Sequence, residues 1–206
     1  MKKRIRRSHY TLVEIMTVIV IAAILFGIGI PAFTTMIQGS NMTVAIRQLS
    51  AKMQAARAHA VTNRCKVAVL LVEATEAKED YRYSAYRVCV VDKDNKWQEW
   101  IEDESWKILP KGVLRYTVSP TTSVTGVNGS EIGGGASVSY PALVFKENGQ
   151  MVSASSTITL RQGRVITGGT LVCTERNGSG KIISHPIEAN QYSGKVVVKA
   201  ITETDE

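Results

Sequence analysis

The chain has 206 residues, 44% hydrophobic and 21% charged, with a formal net charge of +7. That composition excludes a disordered, collagenous or coiled-coil chain, and the length suits one modest domain with an added element. The charge is uneven: Lys2, Lys3, Arg4, Arg6 and Arg7 precede residue 8, Glu14 is the only acid before Glu73, and without these side chains the +7 falls to +3.

A basic start on a nearly neutral body points to a membrane surface more than to nucleic acid. After Glu14 no charged side chain occurs until Arg47, and residues 15–30 are apolar almost throughout. A helix over residues 10–33 would reach about 36 Å at about 1.5 Å per residue, enough for a hydrocarbon core of about 30 Å. Such a helix is either a buried core element or a membrane span. The leading cations favour the span, with the N-terminus cytoplasmic and the remaining chain outside. A secretory signal peptide would have an apolar run of about 7–15 residues and a small-residue cut. Here the run starts with an acid and continues through Gly27-Ile-Gly29-Ile-Pro31, so a retained anchor is expected. Gly27, Gly29 and Pro31 weaken a helix and mark a kink. Glu14 is costly in hydrocarbon, so it needs either the headgroup zone or a partner.

Apolar residues then recur at Met42, Ala45, Ile46, Leu49, Met53, Ala56 and Ala60, one face of an amphipathic helix. This makes residues 34–63 a continuation of the first helix. Beyond Asn63 the period becomes strand-like. Residues 67–72, 83–91, 113–118, 143–145, 157–160, 170–174 and 195–201 are short and rich in β-branched or aromatic residues. Asp94-Asn95, Asn128-Gly129, Asn148-Gly149, Gly168-Gly169 and Asn177-Gly178 read as turns. Residues 119–138, rich in Ser, Thr and Gly, read as a mobile surface loop. The expected class is α+β: a long N-terminal helix, half transmembrane and half amphipathic, packed on a mainly antiparallel sheet domain over residues 64–206.

Little in the chain advertises chemistry. His9, His59 and His185 form no metal-protease pattern, and neither a nucleophile elbow nor paired-cysteine zinc spacing occurs. Asn177-Gly-Ser-Gly-Lys181 lacks the flanking residues of a phosphate loop and reads as a turn. Asp92-Lys-Asp94-Asn-Lys96 begins like a calcium loop, but Lys96 and Trp97 replace a ligand and the required glycine. Trp97, Trp100 and Trp106, set among Glu99, Glu102, Asp103 and Glu104, suit a sheet cover or protein contact better than nucleic-acid stacking. Neither metal nor cofactor is expected. Of Cys65, Cys89 and Cys173, the strand residues Cys89 and Cys173 are the candidate disulfide if the domain is periplasmic; three reduced thiols are the alternative.

Three stretches carry a family resemblance. The basic leader of residues 1–9, followed by Tyr10-Thr11-Leu12-Val13-Glu14-Ile15-Met16 and the apolar run, resembles the processing site of type IV prepilins and type II secretion pseudopilins. His9 stands where that family has glycine. The helix through Gln54-Ala-Ala-Arg57-Ala-His-Ala-Val61-Thr-Asn63-Arg64, the Phe145-Lys-Glu-Asn-Gly149 hairpin and the closing Ser193-Gly-Lys-Val196 resemble the GspH/FimT group of minor pseudopilins and pilins.

The resemblance implies no enzymatic activity but a structural subunit of a type II secretion pseudopilus, anchored once in the inner membrane with a periplasmic domain. Its implied partners are other pseudopilin subunits, membrane lipid, the inner-membrane secretion platform and a prepilin peptidase cutting between His9 and Tyr10. Thr11, Leu12 and Glu14 would set assembly register, Glu14 pairing with the neighbouring subunit's methylated Tyr10 amine. Gly27, Gly29 and Pro31 would loosen as the helix leaves the bilayer. The alternative is a FimT-like pilin that binds DNA for uptake, with Arg161, Arg164, Arg176 and Lys181 as contacts.

Overall fold

The protein is seen in a computed structural model that describes residues 11–73, 78–102, 104–119, 121–166 and 169–204, with backbone alone for 28–38. The chain forms two compact units, Met1–Ser40 and Asn41–Glu206. The leader, His9 and Tyr10 lie outside the described residues. One helix, α1 (Leu12–Asn63), contributes its first part to one unit and its last to the other.

In the first unit, Thr11 Oγ1 accepts the Glu14 N–H at 3.2 Å, the hydroxyl half of a capping box that satisfies an otherwise orphaned donor. The backbone stays helical through Gly27, Gly29 and Pro31. Among the described residues no helix is long and apolar enough to cross a membrane. Residues 12–27, where the side chains of this stretch are described, fall short of the roughly 20 that a span requires.

In the second unit α1 buries Met42, Ala45, Leu49, Met53, Ala56 and Ala60, with Ile46 half-buried beside them. The helical spacing thus yields one stripe, and two sheets cover it. The first sheet holds β1 (Lys66–Leu71), β2 (Ala85–Val91), β3 (Trp97–Trp100), β4 (Lys107–Ile108), β6 (Thr122–Val127) and β7 (Val138–Phe145), in the order β3-β2-β1-β7-β6 with β4 beside β2. The second holds β5 (Val113–Ser119), β8 (Ser156–Val165), β9 (Leu171–Cys173), β10 (Ile182–Ala189), β11 (Val196–Val198) and β12 (Thr202–Thr204), in the order β11-β10-β8-β5 with β9 on β8 and β12 on β10. Every strand pair is antiparallel, so the architecture is the expected α+β.

The first sheet is buried on both faces. Val67, Val69, Leu71, Tyr86, Val88, Leu143 and Phe145 meet the helix stripe and the second sheet. The alternate residues Ala68, Leu70, Ala85, Cys89, Tyr140, Ala142 and Val144 form a second core. The sheet curls around that core: Thr125 donates to the Asn95 carbonyl at 3.3 Å, joining the β6 side to the start of β3. Small residues fit the inside of the curl, and burial on two faces explains why β1 reads as an unbroken apolar run.

The segment 119–138 departs from the expected mobile loop. It contains β6 and a 3₁₀ turn, Ser130–Ile132, and it buries Val124, Val127 and Ile132 in the second core. Its few apolar residues are spaced so that each reaches the interior. β3, β4, β10 and β12 also escape the sequence reading. In β10, Pro186 turns its carbonyl to the Lys199 N–H at 2.9 Å, at the seam where β11 gives way to β12. Its missing donor therefore costs the ladder with β8 nothing.

The three family-like stretches of this unit converge. Arg57 Nε donates to the Gly149 carbonyl at 3.2 Å. Gly149 has φ +78° and Gly194 φ +60°, and a Cβ on Gly194 would collide with the Gly149 carbonyl and lie 2.8 Å from Arg57 Nε. Glycine is thus required at Gly194 for backbone conformation and for space. Gly194→Ala should destabilise the protein by about 2 kcal/mol or more, from strain plus overlap. Gly178→Ala, whose Cβ would meet nothing within 4 Å, should be near neutral; urea midpoints of the detergent-solubilised chain compare the two.

Candidate functional site

The most distinctive surface is the first part of α1. Every large apolar side chain at residues 12–26 is exposed, from Leu12 at 75% to Phe26 at 67%, with no polar face among them. Glu14 is the only acid in that stretch and is exposed. Thr17 Oγ1 donates to the Glu14 carbonyl at 2.9 Å. Thr11, Leu12 and Glu14 therefore sit together on the first helical turn, and the Thr-Leu-x-Glu motif is also a helix start.

The acidic tryptophan segment is a sheet cover, as its composition suggested. Trp97, Trp100, Trp106 and Tyr140 run ring to ring with centroids 5.6–5.8 Å apart. Arg87, buried in β2, lies 3.7 Å from the Trp100 ring centroid, donates to the Glu104 carbonyl at 2.7 Å and pairs with Glu131 at 2.8 Å. Glu104 in turn pairs with Lys52 of α1. A guanidinium stacked on aromatic rings and hydrogen-bonded in its plane is favourable even when desolvated. Sequence reasoning missed Arg87; the available signal was an arginine between Ala85 and Cys89 at inward-facing positions of a strand.

Of the four residues named as DNA contacts under the alternative reading, one lies in the interior. Arg161 is buried: it donates to Ser184 Oγ at 2.8 Å and Thr204 Oγ1 at 2.9 Å, and the Tyr116 ring lies 3.5 Å from it. A β-bulge between Arg115 and Thr117 puts Tyr116 there. Arg161 is a clasp joining β8, β10, β12 and β5. Arg164 and Arg176 are exposed, Arg176 donating to the Gly180 carbonyl at 2.9 Å, and Lys181 is half-buried. Glu175 stands 3.7 Å from His185 beside them.

The remaining motifs resolve into turns. Asn177 Oδ1 accepts the Ser179 and Lys181 N–H groups at 2.9 Å each, consuming donors that a phosphate would need. Asp92 Oδ1 accepts the Asp94 and Lys96 N–H groups at 2.8 Å each, so that carboxylate caps its own hairpin. Among the described residues no group of three His, Cys, Asp or Glu could hold a metal.

The candidate pair Cys89 and Cys173 is not bridged in this structure, in keeping with the alternative of three free thiols. All three cysteines are free; Cys89 lies in β2 inside the second core, whereas Cys173 lies in β9 of the other sheet, with Arg161 directed at its sulfur from 3.9 Å. Burial pushes the Cys89 thiol from its ordinary 9.0 up to about 12, against the pull of nearby Arg87. Burial, then Glu147 and Glu99, also raises Cys65.

The sequence matches the family described as Type II transport protein GspH over residues 45–181. The chain belongs to that family. It is therefore a pseudopilin-like structural subunit with a type IV pilin-like fold, not an enzyme. No curated protein matches it. Similar solved structures include the type IV minor pilin FimU of Pseudomonas aeruginosa, 14% identical, covering 77% of this chain and 87% of that one with TM-score 0.44. Another is the minor pseudopilin EpsH from the Type 2 Secretion System of Vibrio cholerae, 12% identical, covering 77% and 95% with TM-score 0.43.

Thiol chemistry checks the site. A raised pKa keeps Cys89 protonated in the folded chain, while the same thiol ionises near 9.0 once unfolded. At pH 8.5, thiol reagents should label Cys173 and, more slowly, Cys65 in the native protein; Cys89 should label after denaturation, as read by peptide mass spectrometry.

Proposed function

We propose that the protein is a minor pseudopilin of a type II secretion pseudopilus, a single-pass inner-membrane subunit with its β-domain in the periplasm. What supports this reading is the contrast along α1. Its 42–60 stripe is buried by the protein's own sheets, whereas residues 12–26 are apolar and exposed on every side. Apolar surface of that extent needs another cover, and lipid before assembly and the helices of other pseudopilins afterwards supply it in turn. Glu14 then has a role that Gln or Leu at the same position would lack: a desolvated carboxylate strongly favours one register, the one that brings it to an amine. A prepilin peptidase must accept His9 before Tyr10 for that amine to exist, and the inner-membrane platform would extract the helix. The DNA-binding alternative would have to rest on Arg164, Arg176 and Lys181, since Arg161 is buried.

The test is cysteine cross-linking of the full chain, in its native membrane, to the other pseudopilins. Glu14→Gln should leave membrane association intact and reduce cross-linked product at least tenfold. Undiminished cross-linking would remove the register role, and its absence from the unaltered chain would remove the assembly reading.

A further inference from the structure

The second sheet ends on β11, and among the described residues no strand lies on its other side. The hydrogen bonds flanking β11 fix which backbone groups face outward. Asn190 donates to the Lys195 carbonyl at 3.0 Å and Lys199 donates to the Pro186 carbonyl at 2.9 Å. The same alternation turns Val197 toward β10 and leaves the N–H and C=O groups of Val196 and Val198 facing outward. On the outer face, Lys195, Val197 and Lys199 line a shallow concavity of about 210 Å³ with Glu188, Asn190 and Ser193. Lys199 is paired with Glu188 at 2.8 Å, and Lys195 is exposed at the other end of the concavity. Val197 and Val198 are 40% and 48% exposed.

The sequence Lys195-Val-Val-Val-Lys199 opposes its own pairing. A second copy aligned on Val197 would set Lys195 against Lys199, and like charges directly opposite destabilise a strand pair. The complementary occupant carries acids instead. We infer that the outer edge of β11 docks an extended polypeptide segment of a partner protein, bearing carboxylates opposite Lys195 and Lys199 and an aliphatic side chain opposite Val197. The main chain of that segment bonds to Val196 and Val198, and its side chains supply the selectivity, as in strand addition. The inference uses the second unit alone and stands apart from the role of the apolar helix.

The experiment uses the full chain in detergent micelles and the labelled peptide acetyl-Ser-Glu-Val-Val-Val-Glu-Ser-amide. Saturable binding by fluorescence anisotropy is expected, at least tenfold tighter than for the same peptide with Lys in place of both Glu residues. N-methylation of its first and third Val should reduce binding at least tenfold with the charge unchanged. Amide exchange at Val196 and Val198 should slow at least tenfold on binding, and Lys195→Glu should weaken binding with an unchanged thermal midpoint. Absence of saturable binding, indifference to N-methylation, or protection elsewhere would overturn the proposal and leave the lysines as guards against edge pairing. Concentration-dependent protection of these amides without peptide would assign the edge to a second copy and likewise overturn it.

Discussion

The stripe Met42, Ala45, Leu49, Met53, Ala56 and Ala60 is the contact on which the rest of the second unit depends. Three alanines share the stripe with Leu49 and two methionines, so the helix lies close at the alanines while the larger side chains fill the space between two sheets. Each fully buried Leu or Met contributes on the order of 1.5–3 kcal/mol, and this stripe joins sheets that share no strand. Arg57, next to Ala56, ties the same helix to the Gly149 hairpin, and Gly194 closes over both. This part of the helix is therefore held by its apolar face, by Lys52 paired with Glu104 and by Arg57 near its end.

Among the described residues of the first unit, 12–27 bury no such stripe. Their side chains are as apolar as the buried stripe but lack the polar positions that would let one face meet water. Under the proposed function, the first element finds its partner outside the chain, whereas the second finds it within. Membership of the GspH family gives that external partner a chemical identity, since pseudopilins work as subunits.

Much of this was legible from the residues. Steps of three and four marked the stripe, the change to a period of two marked the start of the sheets, and Asn148-Gly149 marked a hairpin whose glycine has φ +78°. The curl of the first sheet was not legible, because β6 carries two buried valines three residues apart among Ser, Thr and Gly, with a register shift between them that breaks any alternation. Pro186 masked β10 in a similar way, since the strand tolerates proline only at the seam between two partners. Arg161 misled for a different reason. A strand arginine near other cations reads as a surface charge, and its burial depends on Ser184, Thr204 and the bulged Tyr116, which are distant in sequence. The acids around the tryptophans pointed away from nucleic-acid stacking and toward a sheet cover or a protein contact, but the guanidinium that orders them was not read.

The central claim is that residues 12–26 are covered by something other than this chain. Alkaline carbonate extraction of membranes carrying the full chain, followed by detergent phase partition, tests it most directly. The protein should stay with the membrane pellet and enter the detergent phase. A full-length chain released as a stable, detergent-free monomer would contradict the account, because that helix would then have found its cover within its own fold.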